Sequence, residues 1–156
     1  MIEVRECSKA FGSVKAVNKA TLDIGDREVF GLVGSNGAGK STLLRMMAGI
    51  IRPDAGEILI DTLPVYENEE AKKLFFYISD DSYFPSNYTA ADMVRFYRNF
   101  YPEFRIKLFH ELMDQFHLEE RRKISTFSKG MKKQLLMIIG VCAATKYLFC
   151  DETFDG

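Results

Sequence analysis

Apolar and polar positions alternate at the start of the chain, with Ile2 and Val4 set against Glu3 and Arg5. A period of two predicts a strand with one buried face. A second alternating stretch covers 17–24, and Gly25-Asp26 after it is the chemistry of a tight turn, as in a hairpin. Val29-Phe30-Gly31-Leu32-Val33 is apolar throughout and predicts a buried strand. Leu43, Leu44, Met46 and Met47 favour a helix over 40–48, stopped by Gly49. Pro53-Asp54-Ala55-Gly56 is turn chemistry. Strands are expected over 57–60 and 74–78, with an exposed, mixed-charge helical turn over 67–73 between them.

The period changes at Thr89. Thr89 and Asp92 fit a capping box. Met93, Phe96, Tyr97 and Phe100 recur at i, i+3, i+4 and i+7, which predicts one apolar helix face, broken at Pro102. Leu108, Leu112, Met113 and Phe116 define a second amphipathic helix, followed by a charged connector over 119–123. Ser128 caps a third helix that reaches Ala144 and is apolar nearly all round after Gln134, so it is expected to be buried. Tyr147-Leu148-Phe149-Cys150 is a short apolar strand ending in Asp151-Glu152. No internal repeat interrupts this order.

Composition narrows the class. The 156 residues are 47% apolar and include 13 Phe and 7 Tyr, enough for a packed core and against disorder. A net charge of −1 lacks the basic excess usual in nucleic-acid binders, so no nucleic acid is expected as a partner. Cys7, Cys142 and Cys150 are odd in number and form no C-x-x-C pair, and the histidines are His110 and His117 alone. That usage fits a reducing compartment and argues against structural zinc. MIEVREC has no signal-peptide pattern, and the longest apolar run, 135–144, is too short to span a bilayer. A cytoplasmic protein is expected, with any membrane part supplied by a partner.

Gly34-Ser35-Asn36-Gly37-Ala38-Gly39-Lys40-Ser41-Thr42 matches G-x-x-x-x-G-K-[ST]. Glycines let the backbone curl so that successive N–H groups point at phosphate oxygens. The helix that follows adds partial positive charge at its N-terminus. Lys40 brings a full charge to the β- and γ-phosphates, and Ser41 offers a hydroxyl to Mg²⁺. The apolar run before the loop and the helix-forming run after it give the match its context. Taken alone, the loop implies a bound nucleoside triphosphate with Mg²⁺.

Asp151-Glu152 ends an apolar strand, the place where an open α/β sheet puts metal ligands and bases. Asp151 is the candidate to hold Mg²⁺ through water. Glu152 is the candidate general base for the attacking water. Strands often end in acids at a surface, and the phosphate loop upstream is what makes this pair specific.

The order of phosphate loop, helical insertion, Ser128-Lys129-Gly130-Met131 and Asp151-Glu152 resembles the nucleotide-binding subunit of ABC transporters over the whole chain. The resemblance implies an α/β fold: a P-loop NTPase core with an N-terminal antiparallel β portion and a helical insertion. The corresponding division is 1–84 for the core with its β portion and phosphate loop, and 85–128 for the insertion. The signature helix and acidic-pair strand follow over 129–156, with the core incomplete at its end. The family signature reads L-S-G-G-Q where this chain has Phe127-Ser128-Lys129-Gly130-Met131, so Ser128 and Gly130 match while Lys129 and Met131 depart. The resemblance implies that Ser128, Lys129 and Gly130 cap the γ-phosphate bound by a second subunit, a homodimer partner or a paralogue. It places Phe11 as the aromatic that stacks on adenine. It places Asp80, within Tyr77-Ile78-Ser79-Asp80-Asp81, where the family has a glutamine that senses Mg²⁺. Asp155-Gly156 resembles the start of a loop that crosses the dimer interface. The switch histidine expected after the acidic pair is not matched by His110 or His117, both of which precede it.

The resemblance further implies an ATPase that works beneath an integral-membrane permease, peripheral on the inner face of the cell membrane. The loop, signature and 77–81 segments are most similar to bacterial export-type subunits of the drug-resistance kind. DNA-repair ATPases of the same family need a long coiled coil between the two motifs, and 84–126 carries no heptads. Translation-associated ATPases carry two cassettes where one is present here. A remaining alternative is a fragment that binds nucleotide without turnover.

Overall fold

The computed structural model describes residues 1–81 and 83–151. The chain divides into two compact units, one from Met1 to Phe75 and one from Phe76 onward.

The first unit is built on an antiparallel sheet. Strands β1 (Ile2–Phe11) and β2 (Val14–Ile24) form a hairpin, and β3 (Ala55–Ile60) and β4 (Leu63–Pro64) complete the order β2-β1-β3-β4. Ile2 and Val4 are buried as the alternation requires, and the period then shifts by one at Glu6, so that Cys7 is the next buried residue. The β1–β2 ladder slips at irregular points, and Glu6 and Lys19 take left-handed backbone angles there. Side-chain hydroxyls take up N–H groups at those slips. Thr21 Oγ1 accepts from Glu6 N at 3.0 Å and Ser8 Oγ from Lys19 N at 2.9 Å. Helix α1 (Lys40–Met47) packs on β2 and buries Leu43, Met46 and Met47. Burial of each such side chain contributes roughly 1.5–3 kcal/mol. A short helix α2 (Glu69–Lys72), capped by Asn68, completes the unit.

Two expectations fail in this unit. The hairpin lies at Gly12-Ser13, not at Gly25-Asp26. The apolar run over 29–33 is not a strand, and Val29 and Val33 are almost fully exposed. A central strand owes its stability to neighbours on both edges and cover on both faces, which propensity does not replace. Neither sheet among the described residues includes this run.

In the second unit, β5 (Phe75–Ile78) pairs with β6 (Tyr147–Cys150). Three helices, α3 (Ala90–Tyr97), α4 (Ile106–Gln115) and α5 (Lys129–Cys142), bury a common core that includes Phe76, Ile78, Met93, Phe109, Met113 and Leu135. Helix α5 is buried over its apolar half, from Leu135 to Cys142, with Val141 exposed. Burial pushes the Cys142 thiol up to about 11, so it behaves as a small hydrophobe. His117 is exposed and ends α4 in a left-handed conformation.

The capping box at the start of α3 forms in full. Thr89 Oγ1 accepts from Asp92 N at 3.2 Å, and Asp92 Oδ2 accepts from Thr89 N at 3.0 Å. The backbone N–H and then the hydroxyl of Thr89 hold the Asp92 carboxyl below its ordinary range. A lowered carboxylate stabilises the fold above its unfolded pKa, and the contribution disappears as pH falls through the lowered value. Thr89→Ala is expected to cost about 1 kcal/mol, measured by denaturant unfolding at neutral pH.

The apolar face expected on α3 is only half right. Met93 is buried and Tyr97 packs its ring 5.2 Å from that of Phe76. Phe100 is exposed beyond the helix end at Tyr97, and Phe96, within the helix, is exposed beside it with the two rings 5.1 Å apart. On α4, Phe109 and Met113 face the core while Phe116 is exposed.

Candidate phosphate-binding site

The loop over 34–42 leads into α1 with a glycine, Gly39, at the cap position and no side-chain cap. The first N–H groups of a helix have no partner inside it, so this end is open to an anion. Gly37 and Gly39 take φ of +82° and +88°, the left-handed region that side-chain-bearing residues avoid. Space adds a second constraint at Gly39. A Cβ there would lie 2.0 Å from the Ala16 carbonyl oxygen. Ala16 is the residue skipped where the β1–β2 register slips between Lys9–Val17 and Ala10–Lys15. The bulge in β2 therefore presents a carbonyl to the loop, and only glycine fits against it.

Lys40 folds back across the loop. Its Nζ donates to the carbonyls of Gly34 and Ser35, each at 2.9 Å. Ala38 N donates to Ser35 O at 3.1 Å, which closes the turn. The ammonium is thus fixed at the loop by main-chain acceptors, independently of any ligand. Glycine curvature, an open helix start and a braced cation fit a polyphosphate. Ser41 lies in the first turn of α1, at the position from which a hydroxyl serves a phosphate-bound Mg²⁺.

Phe11 closes β1 in the same unit and is half exposed, so it is not a core residue. Lys9 Nζ sits 5.8 Å from its ring centroid. Sequence reasoning did not single out Lys9 or Asp54, whose carboxylate binds that lysine at 2.7 Å. Asp54 stands 45 residues from Lys9 in sequence, beyond the reach of any local pattern.

The other site residues belong to the second unit. Asp151 is 1% exposed, the buried charged residue among the described core. Its N–H donates to Ile78 O at 2.9 Å, so β5 and β6 end at the same edge. Tyr77 donates its hydroxyl to Asp151 Oδ2 at 3.2 Å. Asp80 follows β5 at that edge and is exposed. Ser128 caps α5, its Oγ accepting from Met131 N at 3.2 Å. A hydroxyl that accepts in this way keeps its own O–H to donate. Ser128, Lys129 and Gly130 are all exposed. Glu152, Asp155 and Gly156 lie outside the described residues.

A family model described as ABC transporter matches residues 17–155. The chain belongs to the ABC transporter family. It is 35% identical to the ABC transporter ATP-binding protein YtrB of Bacillus subtilis, over all of this chain and 53% of that protein. It is 30% identical to the SkfA peptide export ATP-binding protein SkfE of the same species, over all of this chain and 67% of the relative. It is 48% identical to the ribose import ATP-binding protein RbsA 1 of Streptomyces coelicolor, over 42% of this chain and 13% of that protein. The chain spans about half the length of YtrB. Among solved structures, the dimeric bacterial ABC transporter cassette MJ0796 superposes with a TM-score of 0.83 at 22% identity, over 98% of this chain and 74% of the other. The fold is that of an ABC ATPase, a P-loop NTPase with an antiparallel N-terminal sheet. Among the described residues, no helix is long and apolar enough to cross a membrane.

Proposed function

We propose that the chain is the nucleotide-binding part of a transport ATPase that binds ATP with Mg²⁺ and hydrolyses it in a head-to-tail dimer beneath a membrane permease. The observation that carries this reading is the phosphate loop, with Lys40 braced across the carbonyls of Gly34 and Ser35 at the open start of α1. In this reading the N–H groups from Gly34 to Thr42 hold the phosphates, and Phe11 supports the adenine. Ser41, Asp151 and Asp80 are the residues to hold Mg²⁺, which when bound offsets charge on the β- and γ-phosphates. Glu152 takes the proton of the attacking water. Ser128, Lys129 and Gly130 of a second subunit cap the γ-phosphate from the start of α5.

The permease would hold the subunit at the cytoplasmic face of the membrane and convert dimer closure into movement of substrate. Export is the favoured direction. The peptide-export relative aligns over the whole chain, whereas the ribose-import relative aligns over 42% of it.

Blocking the base should trap the closed state. Glu152→Gln in the full-length protein is expected to run as a dimer by light scattering with ATP and Mg²⁺, and as a monomer without nucleotide. A monomer at saturating ATP would overturn the head-to-tail reading.

A further inference from the structure

The turn after α1 reaches back to the strand that carries Phe11. Asp54 N donates to Ser8 O at 2.8 Å. Its Oδ1 accepts from Lys9 Nζ at 2.7 Å, and its Oδ2 from Ala10 N at 2.8 Å. One residue thereby grips Ser8, Lys9 and Ala10, the residues immediately before Phe11. This is also where the β1–β2 ladder is irregular, since its register slips between Lys9 and Ala10. Pairing with β2 resumes at Ala10–Lys15 and Phe11–Val14, and Asp54 adds a second hold on β1 at the irregular step, through Lys9 and the Ala10 N–H.

Lys9 has a second role in the same cluster. Its side chain is 17% exposed and its ammonium lies over the Phe11 ring, while Phe11 itself is 50% exposed. A cation on one face of an aromatic ring is attracted to it and fixes the ring's orientation. A lysine without its carboxylate partner extends to solvent instead.

We infer that Asp54 is a positioning residue for the nucleotide base, acting through Lys9 and Ala10 to set the Phe11 ring as the stacking platform. The inference rests on the reading of Phe11 as the residue beneath adenine. Lys9, then the Ala10 N–H, hold the Asp54 carboxyl below its ordinary range, so the carboxylate is charged at neutral pH. Asp54 lies between α1 and β3, so the segment that leaves the helix is held by one side chain to the strand that bears Phe11.

The test separates the base from the phosphates. Calorimetry on the full-length protein compares ATP with inorganic tripolyphosphate, each with Mg²⁺. Phe11→Ala is expected to weaken ATP about tenfold and leave tripolyphosphate unchanged. Asp54→Ala is expected to weaken ATP about fivefold, again without effect on tripolyphosphate. Asp54→Asn keeps an acceptor for Ala10 N but not the charge, and is expected to weaken ATP about twofold. If Asp54→Ala does not fold, the same selectivity in Asp54→Asn decides. Should Phe11→Ala leave both ligands unchanged, the platform reading falls and takes the inference with it. A selective Phe11→Ala, beside Asp54 variants that weaken both ligands equally or neither, overturns the role of Asp54 and leaves the platform standing.

Discussion

Lys40→Ala is expected to reduce ATP affinity about a hundredfold, a loss of about 3 kcal/mol, to the edge of detection by calorimetry. The side chain does two things. In the proposed reading it brings a full positive charge to the phosphates, and in the structure it braces the loop by donating to Gly34 O and Ser35 O at 2.9 Å each. Alanine removes both. Methionine at the same position keeps the stem and loses the charge, so Lys40→Met is expected to lose almost as much. Arginine keeps charge, but its longer side chain and rigid planar donors do not reproduce the compact ammonium that meets both carbonyls. Unchanged ATP affinity in Lys40→Ala would refute the assignment of the loop.

Gly39→Ala is the second large effect, and its cause is steric. The backbone at Gly39 has φ of +88°, and a Cβ would stand 2.0 Å from the Ala16 carbonyl oxygen. No rotamer relieves that clash, because both atoms are fixed by the main chain. The loop or β2 must shift by roughly 1 Å, and displacement of that size at a reacting group costs about a hundredfold in rate. The left-handed strain adds about 1–3 kcal/mol of instability. ATP hydrolysis by the full-length protein is therefore expected to fall about a hundredfold, with a lowered melting temperature. Gly37→Ala is the control: Gly37 shares the positive φ, yet nothing stands within 4 Å of its Cβ position. It should show the strain without the displacement. Equal loss in both variants would remove Ala16 from the account.

The contrast between these two glycines marks how far the sequence could be read. The phosphate loop, the Thr89–Asp92 box and the Ser128 cap are local, and spacing of a few residues specifies each of them. The Thr89–Asp92 box and the Ser128 cap stand in the structure as expected, and α1 starts at Lys40 as the loop motif predicts, without the strand expected before the loop. The run over 29–33 was not legible, because an apolar strand at the centre of a sheet is defined by its neighbours, and those are far away in sequence. The apolar spacing at Phe96 and Phe100 predicted burial, but Phe100 lies past the helix end at Tyr97 and Phe96 stands outside the core. Side-chain partners were the least legible. Tyr77 meets Asp151 across 74 residues, and Lys9 meets Asp54 across 45. Nothing in either local sequence announces those pairs. The candidate site residues were readable from motif; the partners that hold them in place required the fold.

The central claim is that each ATP site is shared, with the loop at Lys40 from one subunit and Ser128 from the other. Complementation tests it directly. Lys40→Ala and Ser128→Arg in the full-length protein should each abolish phosphate release when assayed alone. In an equal mixture, half the dimers join one copy of each variant, and each such dimer carries one site with an intact loop and an intact Ser128. Phosphate release is then expected to recover to about a quarter of the unmodified rate. A mixture as inactive as its two components would contradict the shared site.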